Sequence, residues 1–262
     1  MSRVMLITGV SSGIGAQTAA VAAEAGWTVA GEGRGTGLDV TDDASVQACV
    51  DRVVARHGRL DVLVNNAGMA NSFPTVETTP MAEFRRNIDV NFLGVVAMTR
   101  AALPHLRASG GRVVTVGSTR GLIGQPFNEA YSAAKFAVEG FLESLAPTAA
   151  AMGVTVTLVE PGPVLGTGFG AGLTREGLLA AAGPYAPVMA RYMDWVRRTA
   201  HPGAQPAREV AEVILATLAD PAPPLRVPTS EWAAAYARIK LADPLGTAVQ
   251  TMTRSWLAGQ DT

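Results

Sequence analysis

Cysteine is almost missing from this chain: Cys49 stands alone. One thiol makes no intramolecular disulfide framework, which fits a reducing compartment. Lysine is equally scarce, present only as Lys135 and Lys240 among many arginines. No Lys/Arg run points to nucleic acid, and the formal net charge is −1. No uninterrupted apolar stretch reaches membrane-spanning length, so no integral membrane segment is expected. Met1-Ser-Arg-Val-Met-Leu-Ile runs straight into a strand, so no signal peptide is expected. A soluble cytoplasmic protein is the expectation. No metal set is expected. Aromatics are few, at 6 %, whereas apolar residues make up 48 % and glycine alone numbers 28. That palette suits an α/β protein with close helix–sheet contacts.

The pattern alternates strands and helices. Apolar runs at Val4 to Thr8, Thr28 to Gly31, Asp61 to Asn65, Arg112 to Gly117 and Val154 to Glu160 read as strands, with a last one at Leu225-Arg-Val. Helices are expected over Gly13 to Ala25, Ala44 to His57, Thr79 to about Ser109, Asn128 to about Met152 and Glu209 to Ala219. Pro80 is placed at the first helical position of the third helix, and Asn128 as the cap of the fourth. The fold class is therefore a doubly wound parallel sheet in one domain over 1–262. One step is irregular. Too few residues separate strand two from Leu38-Asp39-Val40 for a crossover helix, so a missing helix and a stunted edge strand are expected there.

Three segments carry chemistry. Thr8-Gly9-Val10-Ser11-Ser12-Gly13-Ile14-Gly15 follows the first strand and opens the first helix. Glycines there allow a ligand to approach closely, and the helix N-terminus offers N–H groups to a pyrophosphate. Asn65-Asn66-Ala67-Gly68 ends another strand, where ligands bind in open α/β sheets. Tyr131 and Lys135 stand four apart on a helix and so share one face, with Ser118 upstream. An ammonium beside a phenol favours its ionised form, which makes a general acid or base near neutral pH. Asn91 lies inside a long helix, where asparagine is a mediocre former. A polar task and a simple kink both account for it.

In this order, T-G-x-x-x-G-x-G at 8–15, N-N-A-G at 65–68, Asn91, Ser118, Y-x-x-x-K at 131–135 and Pro161-Gly162 resemble the short-chain dehydrogenase/reductase family. The run from Gly117 to Ser144 and the tail Ala242-Asp-Pro-Leu-Gly246 resemble its 17β-hydroxysteroid dehydrogenase type 1 and retinol dehydrogenase branch. The resemblance implies that Tyr131 exchanges a proton with the substrate oxygen and that Ser118 polarises that oxygen. Lys135 would lower the Tyr131 pKa and hold the nicotinamide ribose, and Asn91 would position a relay water. The implied cofactor set is Gly9, Ser11, Ser12, Gly13, Ile14, Gly15, Arg34, Asp39, Val40, Asn66, Ala67, Gly68, Tyr131, Lys135, Pro161, Gly162, Val164 and Thr167. Thr167 enters because the usual position is Gly166 here, and one inserted residue restores a threonine.

Cofactor choice turns on the end of strand two. Gly33 stands where an acid takes the ribose hydroxyl of NAD, and Arg34 follows, which suits the phosphate of NADP. NADP is the expectation. Glu32 argues for NAD. Residues 163–203 are longer than a simple connection. They hold Phe169, Leu173, Leu178, Leu179, Tyr185, Met189, Tyr192, Met193 and Trp195. A substrate-covering lid over an apolar alcohol or ketone, steroid- or lipid-like, fits this. A cover for the core or a subunit contact fits it too. An oxoacyl or polyketide-type carbonyl and a non-catalytic dinucleotide-sensing regulator are the alternatives. Family analogy implies a homodimer or homotetramer through 80–108 and 128–152.

Overall fold

The computed structural model describes residues 2–69, 75–167, 174–200 and 203–258. A six-stranded sheet, all parallel, forms the centre: β1 Val4–Thr8, β2 Thr28–Glu32, β3 Val62–Asn65, β4 Arg112–Val116, β5 Thr155–Glu160 and β8 Arg226–Pro228. Their order is β2-β1-β3-β4-β5-β8. The helices between them are α1 Gly13–Glu24, α2 Asp43–His57, α3 Met81–Ile88, α4 Gly94–Ser109, α5 Glu129–Ala150 and α8 Ala207–Ala219.

Strand residues alternate between two cores, which is why the inner strands read as continuous apolar runs. Val4, Leu6, Leu63, Val113 and Leu158 join the core beneath α2, α4 and α5. Met5, Ile7, Val64, Val114 and Val159 face the other way, toward α1 and α8. The chain order reverses between β1 and β3, so a crevice opens beyond their carboxyl ends. The glycine turn and the Asn65-Asn66 turn both lie there.

Several expectations change in detail. Only one 3₁₀ turn, Arg34–Thr36, separates β2 from Leu38, so the helix is indeed missing at that step. The stunted strand at Leu38–Val40 does not form either, and β2 is the sheet edge. So short a connection cannot bring the chain back parallel to β2. Pro80 is the N-cap of α3 rather than its first residue. Asn128 precedes α5, but its side chain does not cap the helix; its amide donates to the Pro126 carbonyl at 3.0 Å. The α3–α4 helix runs through a π turn at Asp89–Leu93 with Asn91 at its middle.

The region beyond Gly162 is more structured than the sequence pattern suggests. It contains a two-stranded ribbon, β6 Val164–Leu165 with β7 Gln205–Pro206, and helices α6 Arg175–Ala181 and α7 Ala186–Trp195. Two further helices, α9 Glu231–Leu241 and α10 Thr247–Ser255, were not anticipated. They pack with α7 in a third core. A column of rings joins them. Tyr192 stacks on Trp195 at 6.0 Å, Trp195 on Trp256 at 4.2 Å, Trp256 on Tyr236 at 6.1 Å and Tyr236 on Trp232 at 4.1 Å. Among the described residues no helix is long and apolar enough to cross a membrane.

Candidate active site

A cavity of about 1070 Å³ occupies the crevice. Gly9, Ser11, Ser12, Gly13 and Ile14 line it from the first turn, Arg34, Asp39 and Val40 from the far side, and Asn66, Ala67 and Gly68 from the end of β3. Thr167 lines it too. The inserted residue therefore brings a threonine to this place, next to Gly13, where a Cβ would approach Thr167 to 3.2 Å. Gly15 lies behind the turn, where a Cβ would overlap the Asn66 amide and the Gly9 carbonyl. A Cβ on Gly9, whose φ is +75°, would stand 2.8 Å from Ala67 Cα. The turn and the β3 end thus touch backbone to backbone, and only glycine permits it. Thr8 and Asn66 lock the contact: Thr8 Oγ1 accepts from the N–H groups of Asn66 and Ala67, and Asn66 Nδ2 donates to the Thr8 and Gly9 carbonyls. A glycine cradle at a helix N-terminus, with room beside it, fits the diphosphate of a dinucleotide.

At the end of β2 the acid is turned away. Glu32 receives the Thr36 hydroxyl at 2.7 Å and pairs with Arg52 at 3.4 Å. Arg34 lies close enough to Asp39 to help hold that carboxyl below its usual value, after the two bonds it accepts from Thr41. Arg86, Asp89 and Val90 also line the cavity and were missed in the sequence. The Asp89-Val90-Asn91 run beside the singled-out Asn91 was the available signal.

Ser118, Tyr131 and Lys135 meet at the ends of β4 and α5. Ser118 Oγ accepts the Arg120 N–H at 3.2 Å and lies close enough to the Tyr131 phenol to oppose the rise of its pKa. Lys135 Nζ donates to the Val116 carbonyl at 2.8 Å and lies 5.7 Å from the Tyr131 ring centre. Tyr131 and Lys135 are both buried, as one helix stripe requires. Burial pushes the ammonium down to about 8. Burial also raises the phenol, and the nearby Arg120 charge and Ser118 hydroxyl oppose that rise. The Arg120 guanidinium carbon lies 5.7 Å from the same ring.

Asn91 is fully buried. Its Oδ1 accepts from Met69 N, and its Nδ2 donates to the Met69 carbonyl and to Asn87 Oδ1. The side chain latches the segment after β3 onto the π turn, and π turns gather at functional sites. Pro161 and Gly162 end β5; the Pro161 carbonyl accepts from Thr119 N, and a Cβ on Gly162 would strike the Trp232 ring at 2.7 Å. Pro161, Gly162 and Val164 do not line the cavity, so it covers the glycine-turn end of the site.

Beneath these residues lies a pair the sequence did not flag. Glu160 is fully buried, and both its carboxyl oxygens lack a hydrogen-bond partner, as does Glu139 Oε1. Burial and the neighbouring Glu139 push the Glu160 carboxyl well up. A proton held between the two supplies the missing bond, while Arg226 donates to Glu139 Oε2 at 2.8 Å. Among the described residues no His/Cys/Asp/Glu group is arranged to hold a metal.

A glycine cradle, a switch-point crevice and a Ser–Tyr–Lys cluster at the carboxyl ends of the strands coincide with a pattern match: residues 31–176 match the short chain dehydrogenase family. This chain belongs to that family. It is an NAD(P)-dependent dehydrogenase/reductase. Human 17-beta-hydroxysteroid dehydrogenase type 1 is 40 % identical over 214 residues, covering 80 % of this chain and 64 % of that relative. Retinol dehydrogenase 8 of Bos taurus is 34 % identical over 274 residues, covering 94 % and 87 %. The crystal structure of a short-chain dehydrogenase from Streptomyces avermitilis superposes with a TM-score of 0.76 at 30 % identity, covering 97 % and 98 %. The branch resemblance read from residues 117–144 is thus matched by relatives at the level of the chain.

The greasy residues of 163–203 divide in this dehydrogenase. Leu178, Met189 and Tyr192 are buried, whereas Tyr185 is exposed and donates to Glu77. Phe169 and Leu173 lie outside the described residues.

Proposed function

We propose that this dehydrogenase interconverts a secondary alcohol and a ketone with an apolar frame, preferring NADP(H). The observation that carries the reading is Tyr131, buried on α5 with Ser118 near its phenol and the Lys135 ammonium 5.7 Å from its ring centre. In the reductive direction Tyr131 gives its proton to the carbonyl oxygen, Ser118 donates a hydrogen bond to that oxygen, and the alcohol leaves. A nicotinamide dinucleotide held by these residues would supply the hydride. Lys135 holds the ribose hydroxyls, and its buried ammonium refills the phenol with a proton. Asn91 positions the relay water through the π turn it stabilises. Gly9, Ser11, Ser12, Gly13, Ile14, Asn66, Ala67 and Gly68 hold the diphosphate and ribose, Asp39 and Val40 the adenine side, and Pro161, Gly162, Val164 and Thr167 the carboxamide side.

The preference for NADP rests on Arg34 at the cavity wall and on Glu32 being engaged with Thr36 and Arg52. An anion at Arg34 then faces a β2 carboxylate already engaged by Thr36 and Arg52. Residues 163–203 act as the substrate cover of a single 1–262 domain, with α7 as its packed part. Exposed Leu93 and Phe136, on the helices at 80–108 and 128–152, fit a homodimer or homotetramer contact. Burial pushes the Cys49 thiol up to about 11, which sets it against reaction as a thiolate.

The test is NADPH and NADH oxidation by the full chain with steroid, retinoid and oxoacyl carbonyls. Turnover of an apolar ketone with NADPH ahead of NADH is expected. Binding of dinucleotide without turnover of any carbonyl would replace the reading with that of a sensor.

A further inference from the structure

The turn that carries Ser118 rests on two carboxyl side chains. Its backbone is tied to β5 and the residue after it at two points. Gly117 N donates to the Val159 carbonyl at 2.8 Å, and Thr119 N donates to the Pro161 carbonyl at 3.1 Å. Ser118 and Glu160 are therefore the middle members of the two tied segments. A Cβ on Gly117 would meet Glu160 Cγ at 3.7 Å, and one on Gly121 would meet Glu139 Cγ at 3.3 Å. One end of the serine turn thus lies over Glu160 and the other over Glu139. Both contact points are glycines, so no side chain separates the carboxyl-bearing chains from the backbone of the turn.

The charges beneath the turn do not balance if every carboxyl is ionised. Arg226 on β8 donates to Glu139 Oε2 at 2.8 Å and also to Glu143 on the next turn of α5. Lys135, one turn before Glu139, sends its ammonium to the Val116 carbonyl instead. Arg120, on the serine turn itself, donates to Gln125 and bears on Tyr131. Glu143 is exposed, but Glu139 and Glu160 are buried, Glu160 at 0 %. Among the described residues no donor reaches either Glu160 oxygen or Glu139 Oε1. A buried carboxylate without a donor is far costlier than a carboxyl that keeps its proton. Glu160 is the one that keeps it, because Glu139 already accepts from a guanidinium. The Glu160 hydroxyl then donates to Glu139 Oε1.

Resting on the oxidoreductase reading above, we propose that Glu160 is a positioning residue for Ser118: its proton, shared with Glu139, closes the floor on which the serine turn rests. When that proton passes to solvent base, two buried carboxylates face each other and repel. The floor parts, and Gly117 to Gly121 move with it. Ser118 Oγ then leaves the place from which it donates to the carbonyl oxygen. Glu160 acts through Ser118 and takes no part in the proton transfer to substrate.

The experiment measures kcat for reduction of 1-decalone, a bicyclic apolar ketone, by NADPH from neutral to alkaline pH. Wild type, Glu160→Gln and Glu160→Ala are compared. Glu160→Ala should lose about tenfold to a hundredfold in kcat at neutral pH, the range expected of a misplaced catalytic group. Its KM for NADPH should stay near wild type, because Ser118 acts on the carbonyl. Glu160→Gln keeps a donor for Glu139 and should recover most of the loss. The alkaline fall of kcat should involve one proton fewer in Glu160→Gln than in wild type. An identical alkaline fall in the two overturns the proposal, as does a loss in Glu160→Ala that glutamine does not recover. If Glu160→Ala does not fold, the alkaline fall in Glu160→Gln decides alone. A second arm needs no turnover. The infrared band of a protonated buried carboxyl should be present in wild type at neutral pH and missing in Glu160→Gln. Hydrogen exchange over residues 117–121 should rise in Glu160→Ala ahead of the β1, β3 and β4 strands. Both results without reduction of any carbonyl support the floor beneath the serine turn, and the oxidoreductase reading alone fails. Absence of the band in wild type overturns the proposal.

Discussion

The molecule is built by two different devices. At the cofactor cavity, backbone meets backbone: Gly9 and Gly15 bring the first turn against Asn66 and Ala67 with no side chain between. Past Gly162, side chain meets side chain: Tyr192, Trp195, Trp256, Tyr236 and Trp232 stack in a column across α7, α9 and α10. The first device uses residues that lack a side chain; the second uses the largest side chains available. The glycine cradle leaves N–H groups facing a cavity. The ring column leaves little space and holds α7 against α9 and α10. Ser118, Tyr131 and Lys135 lie at the seam, with Trp232 pressing on the Gly162 turn from the second region.

Tyr131→Phe tests the seam and carries the largest effect. Turnover should fall by about 10²–10⁴, as loss of a general acid predicts. Melting temperature and dinucleotide affinity should stay near wild type, since neither region is touched. Half-retained activity would move the proton donor elsewhere.

Trp256→Ala breaks the second region alone. Trp256 is 3 % exposed and stacked on Trp195. Removing a buried indole costs about 3–5 kcal/mol in unfolding free energy. Hydrogen exchange should rise first over residues 186–195, while dinucleotide affinity holds. An even loss of protection across the β1–β5 sheet would show that the two regions are one cooperative unit.

Arg34→Ala probes the first region alone. NADPH affinity should drop by about tenfold to a hundredfold, with NADH nearly unchanged. Equal weakening of both cofactors in a titration would remove Arg34 from the choice.

Glu160→Gln gives the smallest effect and reads the seam by pH. Burial and Glu139 raise the Glu160 carboxyl above its usual 4.5. The folded state therefore keeps a proton that the unfolded chain releases above that value. The stabilisation is complete below the unfolded pKa and is lost as pH rises toward the folded one. Glutamine retains a donor for Glu139 and cannot ionise. Its unfolding free energy should fall less steeply than wild type's between pH 5 and about 8. Parallel pH profiles would mean that Glu160 is ionised at rest.

How far each region could be read in the sequence follows from the same contrast. Thr8 to Gly15 and Asn65 to Gly68 were legible because glycine at a strand end is a local requirement of backbone geometry. The four inner strands were legible because each, buried on both faces, is a contiguous apolar run. The pairing of Tyr131 with Lys135 followed from helix periodicity. Even the missing helix after β2 followed from counting residues, although the absence of any strand at Leu38–Val40 did not.

What the sequence by itself determined is thus the parallel sheet, the cradle and the shared face of Tyr131 and Lys135. Each rests on contacts within a few residues or on a repeat that local geometry imposes. Only the tertiary structure decided that Arg120 bears on Tyr131, that Glu32 turns to Arg52, that Glu160 meets Glu139 and that α9 and α10 close over α7. Those contacts join residues whose spacing carries no periodic signal. Trp195 and Trp256 are distant in the chain and become neighbours only once the sheet has set the positions of the helices that bear them.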